Sequence, residues 1–204
     1  MSDLEYHGVL DHCIWSYNTD CETHDSEQDI PISIGIQPGW RDRMHAFVER
    51  GPYWCDGNDD QDHNDHRRVN LDLWQRSFCH VVIETLFDAD QSGGAFITEK
   101  TYKCLKYGQP FVIVGTAGSL ALLRDRGYRV FDQVIDNSYD LIRDDTQRWL
   151  AVRELLKSLK TQLGESWFLR CLPDLQHNQQ HFMRQQGGAV ELLWQRLATN
   201  SHTI

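Results

Sequence analysis

The sequence between residues 78 and 131 alternates short apolar runs with helical segments that end at a glycine or its neighbour. Strands are predicted at Phe78–Thr85, Gln109–Gly115 and Tyr128–Phe131, and helices at Thr98–Tyr107 and Thr116–Gly127. Apolar runs of this length, rich in β-branched and aromatic residues, are typical of buried strands. Alternating strands and helices indicate a parallel sheet with right-handed crossovers. The predicted fold class is therefore α/β, a Rossmann-like parallel sheet flanked by helices.

Helical patterns also cover most of the chain after residue 145. Two helices are predicted, at Thr146–Leu163 and Leu175–Thr199. Trp149, Trp167 and Trp194 occupy apolar helical positions, which favours a place in the core over a sugar-stacking surface.

The N-terminal part of the chain is less regular and strongly acidic. Ile30–Ile36 alternates apolar and polar residues as a half-buried strand does, and Arg41–Arg50 is predicted to be a short helix. The net charge of the chain is -10, and the whole excess of acidic over basic residues lies before residue 77. The shift in composition predicts an acidic, partly irregular region at 1–76 and a ligand-binding domain at 77–204. Because an acidic surface repels a phosphate backbone, no nucleic-acid partner is expected.

Neither a membrane span nor a secretory signal is predicted. The longest apolar run, around Pro110–Val114, is far shorter than a bilayer requires, and residues 1–5 lack the pattern of a signal peptide. The six cysteines contain no CxxC pair, which is typical of reduced thiols, and none is an obvious nucleophile. The expected location is the cytoplasm. The cysteines are Cys13, Cys21, Cys55, Cys79, Cys104 and Cys171.

Two positions in the predicted sheet are suited to a phosphate-bearing ligand. In open α/β sheets, ligands bind at the carboxyl ends of strands, where the amino ends of the following helices attract anions. One position is the loop from Ile83 to Lys100, with Thr98 as the helix N-cap; the other is the small-residue turn Gly115–Ser119. The sequence has no GxxxxGK[ST] or GxGxxG motif, which counts against an ATPase and a dinucleotide enzyme.

The string from Phe96 to Gly115, FITEKTYKCLKYGQPFVIVG, resembles the donor-binding segment of the α1,3-fucosyltransferase family. The shared pattern is an aromatic residue, an apolar residue, Thr-Glu-Lys, a short helix, glycine and a proline-containing apolar strand. The match extends to the fucosyltransferase-like glycosyltransferases of phages and algae, and it covers about residues 78 to 150. The further matching steps are Glu84-Thr-Leu-Phe, Gly118-Ser-Leu, Leu123-Arg and Ile135-Asp-Asn-Ser-Tyr-Asp.

The resemblance implies the C-terminal half of a GT-B fold and a sugar transfer with inversion. The donor would be a nucleoside diphosphate sugar, GDP-fucose or a similar GDP-sugar, used without a cofactor or obligatory metal. The acceptor would be a glycan or another hydroxyl compound. By the same resemblance, Glu99 holds the ribose hydroxyls and Lys100 faces the diphosphate, roles that suit a carboxylate and an ammonium group. Phe96 stands where many members have tyrosine, and Thr98 begins the motif.

Other positions of the resemblance are also assigned to donor binding. Gly118 and Ser119 lie in the second turn, and Tyr139 belongs to the matching tail. In the family an acidic residue stands in the step ahead of the loop, and here Ile83-Glu84-Thr85 occupies that place; Glu84 either binds the donor or braces the loop. For Tyr139 and Asp140, a capping or packing role is the alternative.

Arg148 has two candidate partners. It is expected to pair either with the diphosphate or with Asp144, one helical turn earlier.

The catalytic base stays unassigned. In the family this carboxylate comes from the N-terminal acceptor domain. Only about 76 residues precede the motif here, and they contain no family motif. Two alternatives follow: an oligomer or second subunit completes the site, or the chain is a non-catalytic donor-binding or scaffold domain.

A calcium-binding loop is a further alternative. Asp88–Glu99 fits the EF-hand spacing except for Ser92 at the fifth position. Ala95 at the eighth position and the predicted strand before the loop argue against it.

A metal site between Cys55 and His66 is the last alternative. His63 and His66 are three residues apart, but four ligands with zinc-site spacing are missing, which favours a solvated acidic loop.

Overall fold

The computed structural model describes residues 1–16, 39–53, 69–88 and 93–200, and side chains as far as residue 185. Seven α-helices, two strands and two short 3-10 turns are present in these ranges. The helices are α1 Ser2–Tyr6, α2 Trp40–Glu49, α3 Leu71–Gln75, α4 Glu99–Tyr107, α5 Ser119–Asp125, α6 Asp145–Gln162 and α7 Glu165–Asn200. The strands are β1 His80–Ile83 and β2 Phe111–Val114, and the 3-10 turns are Leu10–His12 and Ser138–Leu141.

The two strands form a parallel pair connected through α4. His80 pairs with Phe111 and Ile83 with Val114. All four side chains of β2 are buried, as the continuous apolar run predicts. The mixed α/β class and the parallel pairing are thereby confirmed for the described residues.

Helix α4 begins and ends where its sequence predicts. The Thr98 side chain accepts a hydrogen bond from the Lys100 backbone N–H at 3.3 Å, which confirms Thr98 as the N-cap. Gly108 ends the helix with a φ of 71°, a left-handed conformation that glycine adopts without strain. A Cβ at Gly108 would lie 2.8 Å from the end of the Gln179 side chain of α7, which would have to move.

The third predicted strand, Tyr128–Phe131, is wrong. The chain turns at Phe131, whose φ of 64° is incompatible with a strand. The Asn178 carboxamide of α7 bonds both the N–H and the C=O of Arg129, each at 2.8 Å. A side chain therefore takes the bonds that a neighbouring strand would have made.

The outer edge of β2 is likewise closed by side chains. The Ile113 N–H donates to the Tyr139 hydroxyl at 3.1 Å, and the Gly115 C=O accepts from Arg148 Nε at 3.1 Å. These bonds satisfy buried backbone groups that a third strand would otherwise pair.

The two C-terminal helices are confirmed, with one boundary moved. Asp144 caps α6 by accepting from the Gln147 N–H at 2.8 Å. Helix α7 begins at Glu165, ten residues before the predicted start, and it contains Pro173 in its interior. The Trp167 side chain is buried in the core, as predicted. The side chain of Trp194 and the predicted strand Ile30–Ile36 lie outside the described residues.

The predicted helix Arg41–Arg50 is confirmed as α2, and it packs near the N-terminus. Leu4, Leu10 and Phe47 belong to the same buried cluster as the strands. Trp149 is partly buried and donates its ring N–H to Asp3 of α1 at 2.9 Å. The boundary near Arg76 stays a prediction, since the buried cluster contains residues from both sides of it.

No helix in the described ranges has the length and hydrophobicity needed to cross a bilayer. The four described cysteines, Cys13, Cys79, Cys104 and Cys171, are free thiols. Burial raises the pKa of Cys171 to about 12, which makes it a poor nucleophile.

Candidate functional site

A buried carboxylate joins the end of β1 to the start of α4. Glu84 Oε1 accepts from the Thr98 N–H at 3.1 Å and from the Thr101 hydroxyl at 2.6 Å, and Oε2 accepts from the Thr98 hydroxyl at 2.5 Å. Glu84 is only 5% exposed. Of the two roles that the sequence left open for Glu84, the structure shows the bracing role.

Glu99 and Lys100, the first two residues of α4, point to different sides of the helix. Lys100 Nζ donates to the Thr85 hydroxyl at 3.0 Å, in the loop after β1. The exposed Glu99 carboxylate forms no hydrogen bond or ion pair with any described residue, and it lines an open cleft. A carboxylate and an ammonium group therefore flank the amino end of α4, where the helix dipole favours anions.

The cleft beside Glu99 lies between α4 and α7. Its volume is about 430 Å³, within the roughly 300–1,000 Å³ range of small-molecule sites. Three aromatic rings line it together with polar groups at the helix start. The lining residues are Ile97, Thr98, Glu99, Tyr102, Tyr128, Phe182 and Gln185.

The aromatic walls of the cleft are held by hydrogen bonds at their rims. The Tyr128 hydroxyl donates to the Gln185 side chain at 3.0 Å, and Arg126 donates to the Tyr102 hydroxyl. The Phe182 ring lies 6.5 Å from that of Tyr102. Burial raises the pKa of Tyr128, so its hydroxyl stays protonated near neutral pH.

The second predicted anion position, Gly115–Ser119, is filled by protein groups. The Asp140 carboxylate accepts from the backbone N–H groups of Leu120 and Ala121 at 3.0 and 3.1 Å. Gly118 donates its N–H to the Asp140 C=O, and the buried Ser119 hydroxyl donates to the Thr116 C=O at 2.7 Å. The prediction of a ligand at this turn is corrected, because Asp140 already caps α5 and satisfies its amino end.

Tyr139 and Arg148 also have internal partners. Tyr139 is 3% exposed, and its hydroxyl accepts from the Ile113 N–H. A guanidinium has five N–H groups, and those of Arg148 meet five acceptors, so none is left for a diphosphate. The acceptors are the carbonyls of Phe87, Gly115, Ile142 and Arg143 and the carboxylate of Asp145. The carboxylate partner is Asp145, whereas the predicted Asp144 caps α6.

Phe96 comes directly before the cleft residue Ile97 in sequence but does not line the cleft itself. Its backbone N–H donates to the Thr116 hydroxyl at 3.0 Å, which ties the loop before α4 to the turn after β2. The ring is 37% exposed and remains accessible from solvent.

The metal alternatives find little support in the described residues. The EF-hand spacing of Asp88–Glu99 requires a helix before the loop, but β1 precedes it. No cluster of three or more His, Cys, Asp or Glu side chains suited to a metal occurs in the described ranges. The Cys55–His66 segment lies outside them.

The cleft residues Tyr102, Tyr128, Phe182 and Gln185 were not predicted. Only Tyr102 carried a signal, because it lies three residues after Glu99 and so shares its side of α4. Tyr128 lies in the segment after α5, and Phe182 and Gln185 reach the cleft through the packing of α7 on α4.

The chain was compared with known protein families, proteins and structures. No protein-family model, no curated protein and no solved structure matches the chain. The function is therefore argued from the site itself.

Proposed function

We propose that this chain is a glycosyltransferase-like protein that binds a nucleoside diphosphate sugar at the start of α4. The observation that carries the proposal is the pair Glu99 and Lys100, which flanks the carboxyl end of a parallel βαβ unit beside a cleft of about 430 Å³. The fold that fits this arrangement is the Rossmann-like, C-terminal half of a GT-B enzyme. The motif around Thr98 supports the choice of a fucosyltransferase-like activity.

Glu99 is suited to hold the ribose of the donor. An ionised carboxylate accepts hydrogen bonds only, and a ribose diol offers two donors. Glu99 has no competing partner among the described residues, so binding a ribose would break no bond to any of them. The aromatic rings of Tyr102, Tyr128 and Phe182 supply apolar surface next to it.

Lys100 is suited to neutralise the diphosphate. Its ammonium group is held near the end of β1 by Thr85, and the helix dipole of α4 adds a favourable potential for an anion. Charge that accumulates on a departing diphosphate is stabilised by a cation fixed in this way. Glu84 does not contact the donor in this proposal, since its side-chain oxygens already accept hydrogen bonds from Thr98 and Thr101.

Transfer with inversion also needs a base for the acceptor hydroxyl. We propose that this base lies outside the α4 site, in the N-terminal region or in a second subunit. A GDP-sugar is the proposed donor class, and a glycan or other hydroxyl compound is the acceptor.

Calorimetry with GDP and GDP-fucose tests the proposal directly. The Glu99→Gln and Lys100→Gln variants are each expected to weaken nucleotide binding by about 1–3 kcal/mol, the range for a lost charged hydrogen bond. Lys157→Gln is a matched control, because this partly exposed lysine lies on α6 and pairs with Glu154. Heat from Ca²⁺ alone would support the calcium loop instead, and no heat from any of the three ligands would leave a scaffold domain.

A further inference from the structure

One wall of the cleft between α4 and α7 lies outside the part of the sequence that resembles a known family. Phe182 and Gln185 belong to α7, beyond residues 78–150, so the resemblance gives them no role. They line the cleft together with Glu99 and Tyr102 of α4. A second helix therefore supplies contact surface to a ligand that binds beside Glu99.

Two aromatic side chains of the cleft are available for stacking. Tyr102 and Phe182 are both partly buried, so solvent still reaches each side chain. Their ring centres lie 6.5 Å apart, and the rings are tilted by 45° instead of being stacked face to face. Aromatic side chains are the surfaces on which nucleobases stack in proteins, because every base has a flat apolar face.

Hydrogen bonds hold the walls of the cleft in place before a ligand binds. Arg126 donates to the Tyr102 hydroxyl, and the buried Tyr128 donates its hydroxyl to Gln185 at 3.0 Å. The Gln185 carboxamide has two donors and two acceptor sites, more than its contacts with Tyr128 and His181 use. Walls that are fixed in advance lose little conformational freedom on binding, and Gln185 keeps capacity to bond the polar edge of a ligand.

The position proposed for the ribose directs the base of the donor into this cleft. In a nucleoside diphosphate, the base is attached on one side of the 2′,3′-diol and the diphosphate on the other. Glu99 lines the cleft, whereas Lys100 bonds Thr85 in the loop after β1. With the diol on Glu99 and the diphosphate at Lys100, the base therefore points towards the cleft.

We infer that the α4–α7 cleft is the nucleobase subsite of the donor, with Tyr102 and Phe182 as stacking surfaces and Gln185 as the polar group at the base edge. The inference rests on the proposed function, because it takes the position of the ribose at Glu99 from it. A nucleobase combines flat apolar faces with a polar edge, and the rings and the carboxamide match these two properties.

Calorimetry with GDP and with guanosine tests the inference, since guanosine keeps the base and the ribose but has no diphosphate. Phe182→Leu removes a stacking face but keeps an apolar side chain, and it is expected to weaken the binding of both ligands by about tenfold. Lys100→Gln is expected to weaken the binding of GDP alone. Phe168→Leu is the matched control, because Phe168 is another partly buried phenylalanine of α7 and lies near Phe78, so both affinities should be unchanged.

Failure of this inference is distinguishable from failure of the proposed function. GDP binding that weakens in Lys100→Gln but not in Phe182→Leu would overturn the nucleobase subsite and leave the donor site at the start of α4 in place. Equal losses in Phe182→Leu and Phe168→Leu would also overturn it, because the effect would then come from the packing of α7. No binding of GDP to the wild-type chain would remove the proposed function and the inference together. Melting curves followed by circular dichroism check that each variant is folded.

Discussion

Glu84 is a buried acidic residue whose side-chain oxygens are satisfied by local hydrogen-bond donors. Its side chain accepts three hydrogen bonds from Thr98 and Thr101. The bonds link the end of β1 to the first turn of α4, so they fix the position of Glu99 and Lys100 relative to the sheet. A residue that contacts no ligand thereby sets the geometry of the site.

Replacing Glu84 is expected to destabilise the fold far more than replacing Glu99. Glu84→Ala leaves the Thr98 N–H and two hydroxyls without their acceptor, which should lower the free energy of unfolding by about 2–4 kcal/mol. Glu99→Ala removes an exposed side chain and should change it by about 0.5 kcal/mol or less. Urea unfolding of both variants measures the difference, and equal losses would contradict the bracing role of Glu84.

Tyr139→Phe isolates a single hydroxyl at the edge of β2. The variant keeps the buried ring but leaves the Ile113 N–H unpaired, with an expected loss of about 1–3 kcal/mol. Donor binding should be unchanged, because the hydroxyl is used inside the protein. Urea unfolding and GDP calorimetry on one sample check both statements; weaker GDP binding with unchanged stability would show that Tyr139 is a ligand contact.

Helix α1 is attached to α6 through a compact polar contact. Asp3 accepts from the Trp149 ring at 2.9 Å and from Arg153 at 3.5 Å, and His7 Nε2 lies 3.5 Å from the Asp3 carboxylate. Burial and, next, the charge of Arg153 lower the pKa of His7. Burial, with a contribution from Lys103, lowers the pKa of His80 in the same way. Both imidazoles are therefore kept neutral by the folded protein.

Stability is expected to fall as the pH drops below the ordinary histidine pKa of 6.5. A base with a lower pKa in the folded state binds protons more readily when unfolded, so acid favours unfolding in this window. The contribution of these two histidines to the free energy of unfolding is complete above pH 6.5. It is lost as the pH falls towards their lower folded-state pKa values.

Urea unfolding between pH 7.5 and pH 5 measures this effect, with His7→Gln/His80→Gln as the comparison. The double variant should show a smaller pH dependence than the wild type over that range. A wild-type stability that rises on acidification would contradict the assignment.

The elements that the sequence predicted correctly are those with strong local signals. Helix α4 has an N-cap at Thr98 and a glycine stop at Gly108, and β2 is a continuous apolar run. The run Tyr128–Phe131 also contains aromatic and β-branched residues, but the backbone of Arg129 bonds the side chain of Asn178, which lies far away in sequence. Local pattern does not encode such a contact, and so the third strand was wrongly predicted.

Only the part of the site that is formed by residues at the start of α4 could be predicted from the sequence. Thr98, Glu99 and Lys100 lie together because they begin one helix, and spacing shows this directly. The opposite wall depends on Phe182 and Gln185, whose place follows from the packing of α7 on α4. The anion position predicted at the turn Gly115–Ser119 is occupied by the protein itself. The Asp140 carboxylate accepts hydrogen bonds from the backbone N–H groups of Leu120 and Ala121 there.

Arg148 connects chain segments that are distant from one another in the molecule. Its guanidinium bonds the carbonyls of Phe87, after β1, and of Gly115, after β2, as well as those of Ile142 and Arg143. The side chain is 1% exposed, and its charge is balanced by Asp145. One residue thus holds both strand ends, the turn before α6 and α6 itself in one arrangement.

Arg148→Lys is expected to lower the free energy of unfolding by about 2–4 kcal/mol, although the charge is kept. A lysine has three donors on a single nitrogen and cannot reach five acceptors spread around a planar group. Arg129→Lys is the matched control: Arg129 is half exposed and pairs with Asp174 alone at 3.3 Å, so about 1 kcal/mol or less is expected. Thermal and urea unfolding compare the two, and a similar loss in both would argue against the linking role of Arg148.

The far flank of β2 is closed by a phenol and a guanidinium rather than by another length of backbone. Protection of that flank therefore depends on two side chains, and simultaneous loss of both would bare amide groups that a strand from a neighbouring molecule could recruit. Tyr139 and Arg148 are therefore expected to protect this edge against pairing with another chain, in addition to the stability that they confer.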